Sequence, residues 1–250
     1  MAVRYEINPP KISADGPDVR KILFERIETI SSVCSGIHLT DSVLGIPRVS
    51  PFDIAEQIRE SDKKIKLTCS LRVRGKNLND IVKIVEQSID TVDGILVLMG
   101  DKSDTMPNKA ELIPSQVVKA LNDNGLGKKI ELFLSIASNF DPVKIAKKMD
   151  AKPSGFITQV IQTSREILEI TTQLKASRWN DWQKFKVIPC LLLPSENNLK
   201  SAEFLKIDWS NYKEDILGFI NKIHDITGDV LITSPNDFKR AYETISKLAS

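Results

Sequence analysis

The stretch Gly94-Ile95-Leu96-Val97-Leu98-Met99-Gly100-Asp101 carries the strongest fold signal in the chain. Its five consecutive apolar residues leave no polar face, which is typical of a strand buried on both sides within a parallel sheet. The run ends at a glycine that permits a turn and then at the carboxylate of Asp101. Because ligands bind at the carboxyl ends of strands in parallel α/β proteins, Asp101 is a candidate site residue.

The same pattern of apolar strand, polar tip and amphipathic helix repeats along the sequence. Eight strands alternating with helices predict an α/β protein in which residues 1–250 form a single (β/α)8 TIM barrel. A doubly wound open sheet is the alternative, but it requires a glycine-rich phosphate loop after a strand, and Gly125-Leu126-Gly127 precedes one. The predicted strands are Val3–Asn8, Val33–Thr40, Ile65–Leu71, Gly94–Asp101, Ile130–Ala137, Gly155–Val160, Lys186–Leu193 and Asp229–Thr233.

The composition is that of an ordinary globular protein and excludes several classes of function. A net charge of +2 gives no indication of a nucleic-acid partner. No apolar run reaches the roughly 18 residues of a membrane span, and the polar start is unlike a signal peptide. The cysteines Cys34, Cys69 and Cys190 lie in apolar runs without metal-ligand spacing, so we expect buried reduced thiols in a cytoplasmic protein. With two histidines, we predict no metal site.

If the strands close into a barrel, the polar residues at their ends converge on one mouth. Glu6 lies between Tyr5 and Ile7, so alternation directs it into the barrel, where burial would raise its pKa toward general-acid use. A structural ion pair is the alternative for Glu6. The alternative for Asp101 is a turn or helix-cap role. The alternative for Gln159 is a structural role in which it links the sixth strand to a loop. The tips carry many neutral hydrogen-bonding groups, which favours a planar heterocyclic ligand over a sugar phosphate.

Basic residues near the strand ends have ordinary structural explanations. Arg72, Arg74 and Lys76 leave the third strand, and we expect a solvated surface there rather than phosphate ligands. Lys147 and Lys148 lie near the end of an amphipathic helix, where cations are favoured by the helix dipole.

Several motifs, in order along the predicted strands, resemble those of the methylenetetrahydrofolate reductase family. Members of that family are flavin-dependent (β/α)8 barrels of one-carbon metabolism, and the resemblance covers nearly the whole chain. The matching segments are Tyr5-Glu6-Ile7-Asn8-Pro9-Pro10, Thr40-Asp41-Ser42-Val43-Leu44-Gly45-Ile46-Pro47-Arg48-Val49-Ser50-Pro51, Lys66-Leu67-Thr68-Cys69, Leu98-Met99-Gly100-Asp101, Ala137-Ser138-Asn139 and Ile157-Thr158-Gln159.

The resemblance implies a flavoprotein oxidoreductase that reduces 5,10-methylenetetrahydrofolate, or a related tetrahydropterin, to the 5-methyl form, with FAD as cofactor and NAD(P)H as electron donor. Glu6 would be the general acid that opens the bridged folate to an iminium ion, and Asp101 would orient folate and stabilise the positive charge. Gln159 would bind the pterin ring, and Leu199 lies where the family places a stacking aromatic residue. The implied flavin-binding residues are Thr40, Thr68, Gly100, Asp101, Ala137, Asn139, Lys147 and Lys148.

Three departures from the family pattern support a second hypothesis. Lys66 replaces a histidine of the third strand, Met99 replaces the arginine before Gly-Asp, and Leu199 replaces the stacking aromatic residue. The alternative is a non-catalytic or partner-dependent barrel that binds a folate or pterin and has lost flavin. A homo-oligomer or a partner oxidoreductase subunit is open under either hypothesis.

Overall fold

Eight parallel strands form a closed barrel in the computed structural model, which describes residues 1–61, 64–102, 112–137, 141–176 and 185–249. Each strand pairs with the next, and the last pairs with the first. The predicted (β/α)8 barrel is therefore confirmed. The strands are β1 Val3–Ile7, β2 Gly36–Leu39, β3 Lys66–Arg72, β4 Gly94–Leu98, β5 Glu131–Ile136, β6 Gly155–Val160, β7 Lys186–Leu192 and β8 Val230–Thr233.

Helices between the strands begin where local capping chemistry places them. Asn77 and Asp141 precede two of them, and their side-chain oxygens accept hydrogen bonds from the backbone N–H groups of Asp80 and Val143. The helices within the described residues are α1 Pro17–Ser31, α2 Pro51–Ser61, α3 Leu78–Ser88, α4 Pro114–Asp123, α5 Pro142–Met149, α6 Ser164–Ala176, α7 Leu199–Leu205, α8 Ile216–Thr227 and α9 Phe238–Ala249.

Strand β4 is shorter than the segment predicted from the sequence. It stops before Met99, which leaves residues 99–101 as a turn beyond the sheet. Helix α1 follows Gly16, and Asp18 lies in its first turn, where a negative charge favours the helix dipole. The Asp215 side chain caps helix α8 by accepting a hydrogen bond from the Gly218 N–H.

Alternation along the strands separates two apolar regions. Val3, Tyr5 and Ile7 of β1 pack in the large core between the sheet and the helices. A smaller cluster fills the barrel interior and consists of Leu96, Phe133, Ile157, Ile188, Cys190 and Leu231. Gly94 is required beside this cluster, because a Cβ at that position would lie 2.8 Å from Cε2 of Phe133.

The end of the barrel opposite the carboxyl ends of the strands is closed by polar contacts between the two ends of the chain. The buried Arg4 side chain pairs with Asp229 at 2.8 Å. The backbone N–H of Ala2 donates to Nε2 of His224 at 3.2 Å. Asp229 and His224 therefore hold the start of the chain against the segment that leads into β8.

No disulfide joins the three cysteines, all of which lie within the described residues, and two of the three have the predicted burial. Cys69 and Cys190 are buried in β3 and β7, whereas Cys34 is half-buried just before β2. Among the described helices, none is both long and apolar enough to cross a membrane.

The Arg4–Asp229 pair gives a first prediction about stability. Asp229→Ala leaves a buried guanidinium without its partner, which should lower the free energy of unfolding by about 3–5 kcal/mol. Replacing both residues, Arg4→Met with Asp229→Leu, should recover most of that loss because no unpaired charge remains. Urea unfolding followed by circular dichroism measures all three free energies.

A matched control uses the exposed pair of Arg165 and Glu169. Glu169→Ala should cost less than about 1 kcal/mol, since exposed ion pairs contribute little. Equal losses for Asp229→Ala and Glu169→Ala would contradict the stabilising role given to the buried pair.

Candidate functional site

A cavity of about 760 Å³ occupies the mouth formed by the carboxyl ends of the strands. Its floor is apolar and includes Leu96, Ile157 and Leu231. Six of the residues predicted from the sequence line it. They lie on four strands, in the turns after those strands, and on α5: Glu6, Thr40, Gly100, Asp101, Lys148 and Gln159. The barrel topology therefore brings together side chains that are far apart in the sequence.

Glu6 on β1 lines this mouth cavity. Its Oε1 accepts a hydrogen bond of 2.7 Å from the Thr233 hydroxyl on β8. Burial raises the pKa of the Glu6 carboxyl, and the Thr233 hydrogen bond opposes this only in part. In the described part of the chain no basic group pairs with it, so the ion-pair alternative has no support here. A carboxyl whose pKa is raised, at the wall of a cavity, is suited to donate a proton.

His38 is a site residue that sequence reasoning missed. It is the register partner of Glu6 on β2 and lines the same cavity. Its Nδ1 lies 2.9 Å from the Thr68 hydroxyl and its Nε2 lies 3.0 Å from the Ser70 hydroxyl. Burial, assisted by Arg4, lowers the pKa of His38 to about 3, so the ring is neutral at physiological pH. The alternation that located Glu6 would have located His38, because Ile37 and Leu39 flank it in the same way.

Asp101 joins the turn after β4 to the loop after β2. Its Oδ2 accepts a 2.9 Å hydrogen bond from the backbone N–H of Leu44. Leu44 and Ser42 both have left-handed backbone conformations, with φ of 59° and 48°. These conformations are costly for residues other than glycine, so Asp101 holds a strained loop against the cavity. Asp101 therefore fills the turn role that was its alternative, while its side chain also lines the mouth cavity.

Gly100 has a packing reason to be glycine. Its φ is +79°, and a Cβ there would lie 2.2 Å from Cγ of Arg72. Its carbonyl accepts a 3.0 Å hydrogen bond from Nε of Arg74. Arg72 is buried rather than solvated as expected, since its backbone N–H donates to Asp41 and its side chain passes beneath the turn.

Gln159 reaches the mouth cavity from an irregularity in β6. The register with β7 shifts between Ile157 and Val160. The Thr158 hydroxyl donates to the Gln159 carbonyl and accepts from the Cys190 N–H, which holds the irregular backbone in place. Such irregularities re-aim side chains, and here the Gln159 side chain is exposed at the cavity wall.

The two adjacent lysines of α5 have different environments. Lys148 lines the mouth cavity, and its Nζ donates to the Ser135 carbonyl on β5. Burial lowers the pKa of Lys148, with a further contribution from Lys144. Lys147 is exposed, because the helical rotation of one residue turns it away from the barrel.

Several sequence-predicted residues do not line the mouth cavity. Thr68 lies beneath it and orients His38. Ala137 follows β5 without reaching the cavity, and Asn139 lies outside the described residues. Leu199 is half-exposed at the start of α7, and Leu205 and Ile207 near the other end of that helix line the cavity instead. In the described ranges no group of three metal-ligating side chains occurs.

The shifted pKa of Glu6 gives a prediction about stability and pH. An unfolded glutamate ionises at about pH 4.3, whereas folded Glu6 keeps its proton to higher pH. Wild-type stability should therefore fall as pH rises between these two pKa values, since only the unfolded state releases the proton. Glu6→Gln keeps an acceptor for Thr233 and cannot ionise, so it should lack this fall. Urea unfolding midpoints of the wild type and of Glu6→Gln, measured from about pH 4 to about pH 8, give the difference in stability. A difference that does not change with pH would contradict the raised pKa of Glu6.

Comparisons with known proteins place the fold. No family model and no curated protein matches this chain. Among solved structures, an uncharacterized protein from Clostridium thermocellum that binds two copies of 5-methyl-5,6,7,8-tetrahydrofolic acid is 16% identical, with a TM-score of 0.72 over 99% of this chain and 93% of that one. A protein from Aquifex aeolicus VF5 is 10% identical, with a TM-score of 0.57 over 99% and 91%.

A further solved structure is 2,3-dimethylmalate lyase, a member of the PEP mutase/isocitrate lyase superfamily. It is 12% identical, with a TM-score of 0.56 over 98% of this chain and 80% of the lyase. Identities this low establish shared architecture, and this chain therefore has the (β/α)8 barrel fold.

Proposed function

We propose that the mouth cavity binds a reduced folate and that the chain reduces 5,10-methylenetetrahydrofolate, or a related tetrahydropterin, to its 5-methyl form. The observation that carries this proposal is Glu6, a half-buried carboxyl with a raised pKa and no ion-pair partner in the described segments. It shares one cavity with Asp101 and Gln159. The structural similarity to a protein that binds 5-methyltetrahydrofolate supports the same ligand class here.

The roles of the side chains follow from their environments. Glu6, whose pKa is raised by burial, would deliver a proton to the bridging amine nitrogen of the substrate, which opens the ring to an iminium ion. Asp101, at the rim, would stabilise the positive charge that develops on that ion. Gln159 offers an amide donor and acceptor to the edge of the pterin ring. The apolar floor excludes water from the ring faces and strengthens these polar contacts.

Two observations support FAD as the proposed cofactor. The cavity has an apolar floor for a ring system, and Lys148 places a half-buried cation at its wall. Thr40, Gly100, Asp101 and Lys148 would hold the flavin, with Lys148 near its anionic groups. Bound there, FAD would supply the hydride, taken in turn from NAD(P)H.

A second candidate function is a folate-binding barrel without flavin. Three of the residues implied in flavin binding are placed elsewhere. The Thr68 hydroxyl is hydrogen-bonded to the His38 ring, Lys147 is exposed, and Ala137 does not line the cavity. These placements favour the second candidate, whereas Lys148 and the cavity volume favour the first. Both candidates bind the folate in the same mouth cavity.

The general-acid role is tested by Glu6→Gln in the purified protein reconstituted with FAD. Methylenetetrahydrofolate reduction should fall at least about 100-fold because the variant cannot donate the proton. Binding of 5-methyltetrahydrofolate, measured by calorimetry, should change little. Glu25→Gln, at an exposed glutamate of α1, is the control and should leave the rate unchanged.

Three outcomes of that experiment separate the proposals. Full activity of Glu6→Gln with FAD bound would show that Glu6 is not the acid. A colourless wild-type protein that binds the folate but cannot take up FAD would favour the second candidate. Failure of the wild-type protein to bind 5-methyltetrahydrofolate would overturn both.

Flavin binding has its own matched pair of variants in α5. Lys148→Met removes the half-buried cation at the cavity, and we expect FAD to bind about tenfold more weakly, since a charge-assisted hydrogen bond is lost. Lys147→Met removes an exposed charge from the same helix turn and should leave FAD affinity unchanged. Fluorescence titration of FAD measures both, and equal effects would exclude a specific role for Lys148.

A further inference from the structure

Three buried polar side chains form a hydrogen-bonded network on the inner wall of the barrel, where β2 and β3 meet. His38, Thr68 and Ser70 are each no more than 3% exposed, and we call them the His38 network. Nδ1 of His38 lies 2.9 Å from the Thr68 hydroxyl, and Nε2 lies 3.0 Å from the Ser70 hydroxyl. His38 and Ser70 line the mouth cavity, whereas Thr68 does not. The network therefore joins a hydroxyl beneath the cavity to one at its wall.

The surroundings of the Thr68 hydroxyl indicate which nitrogen of His38 carries the proton. The Thr68 hydroxyl lies 3.4 Å from the Ile37 carbonyl, which can only accept, so it donates its one proton there. It must then accept from His38, which places the proton of the neutral ring on Nδ1. The ring is neutral because burial lowers the pKa of His38 to about 3.

The opposite tautomer would leave one buried proton without an acceptor. With its proton on Nε2, His38 would donate to Ser70, and the Ser70 hydroxyl would have no acceptor for its own proton among the described residues. With the proton on Nδ1, Nε2 accepts from Ser70, and all three protons of the network have partners. Buried polar groups in folded proteins are almost always hydrogen-bonded, so the Nδ1–H tautomer is favoured.

In this arrangement Ser70 faces the mouth cavity as an acceptor. Its proton is directed to His38, and its oxygen keeps lone-pair capacity for a further donor. The register partner of Ser70 on β4 is Leu96, an apolar residue of the cavity floor that offers no side-chain donor. Within the described segments no other group donates to the Ser70 oxygen. The protein therefore leaves this acceptor to a ligand.

We infer that Ser70 accepts a hydrogen bond from an N–H of the ligand's ring, and that Thr68, acting through His38, sets the direction of the Ser70 proton. This inference rests on the proposed function and adds a residue that selects the ring. A tetrahydropterin presents N–H donors, which match the Ser70 oxygen. A ring that presents only acceptors would face lone pairs with lone pairs, and a site built in this way rejects such a ligand.

The tautomer is measurable by NMR because the chain has only two histidines. In protein that contains isotopically labelled histidine, the ring nitrogen shifts should show His38 protonated on Nδ1 and unprotonated on Nε2. His224→Gln removes the other ring and assigns the signals. In Thr68→Val an Nδ1 proton would have no acceptor, so it should move to Nε2. A wild-type His38 ring protonated on Nε2 would overturn the inference.

Calorimetry with 5-methyltetrahydrofolate and with 6-methyltetrahydropterin tests the contact with the ligand. Ser70→Ala removes the acceptor and should weaken binding of both about tenfold, because a ligand N–H is left unpaired in a buried site. Thr68→Val turns the Ser70 proton toward the cavity and should weaken binding to a similar extent, although Thr68 does not line the cavity. In the double variant Thr68→Val should cause no further loss, because it acts only through Ser70.

Thr171→Val is the matched control. It removes another buried threonine hydroxyl, which donates to the Ile167 carbonyl within α6, and it should change neither ligand binding nor the His38 tautomer. Thermal unfolding checks that each variant is folded. If the wild type binds the ligands and Ser70→Ala binds them as tightly, or if the losses in Ser70→Ala and Thr68→Val add, the inference fails while the proposed function stands. If the wild type binds neither ligand, the proposed function fails as well.

Discussion

Closure of the sheet between β1 and β8 is the constraint on which the other features depend. The two strands pair through Val3 with Val230 and Tyr5 with Ile232, which fixes the register of the last strand against the first. Alternation then turns Arg4 and Glu6 of β1 into the barrel. Each meets a partner from the other end of the chain, Asp229 at one end of the barrel and Thr233 at the mouth. One pairing therefore stabilises the barrel and also orients the candidate acid.

Local signals in the sequence were sufficient to predict the eight strands and the inward direction of Glu6. Strand β4 is recognisable from its unbroken apolar run, and helix α5 from Asp141 followed by Pro142, because both signals act within a few residues. It was harder to predict which individual residues reach the mouth cavity. Lys147 and Lys148 are adjacent in sequence, and only the rotation of α5 about its axis decides which one reaches the cavity.

The features that sequence reasoning missed depend on contacts between distant segments. The ring of His38 is positioned by hydroxyls about thirty residues away, and Asp101 receives a hydrogen bond from Leu44, 57 residues earlier. Leu199 was placed from the resemblance, but the path of α7 brings Leu205 and Ile207 to the cavity. Which end of a short helix approaches the mouth is set by packing on the barrel, and no pattern of spacing encodes it.

Burial shifts the pKa values of two titratable groups of the mouth cavity toward their neutral forms. It raises the pKa of the Glu6 carboxyl and lowers that of the His38 ring to about 3, so the histidine is neutral at physiological pH. The floor beneath these two side chains is apolar and includes Leu96, Ile157 and Leu231. A cavity built in this way is suited to a ring rather than to a dianion, because burying carboxylates against an apolar floor would carry a large desolvation cost.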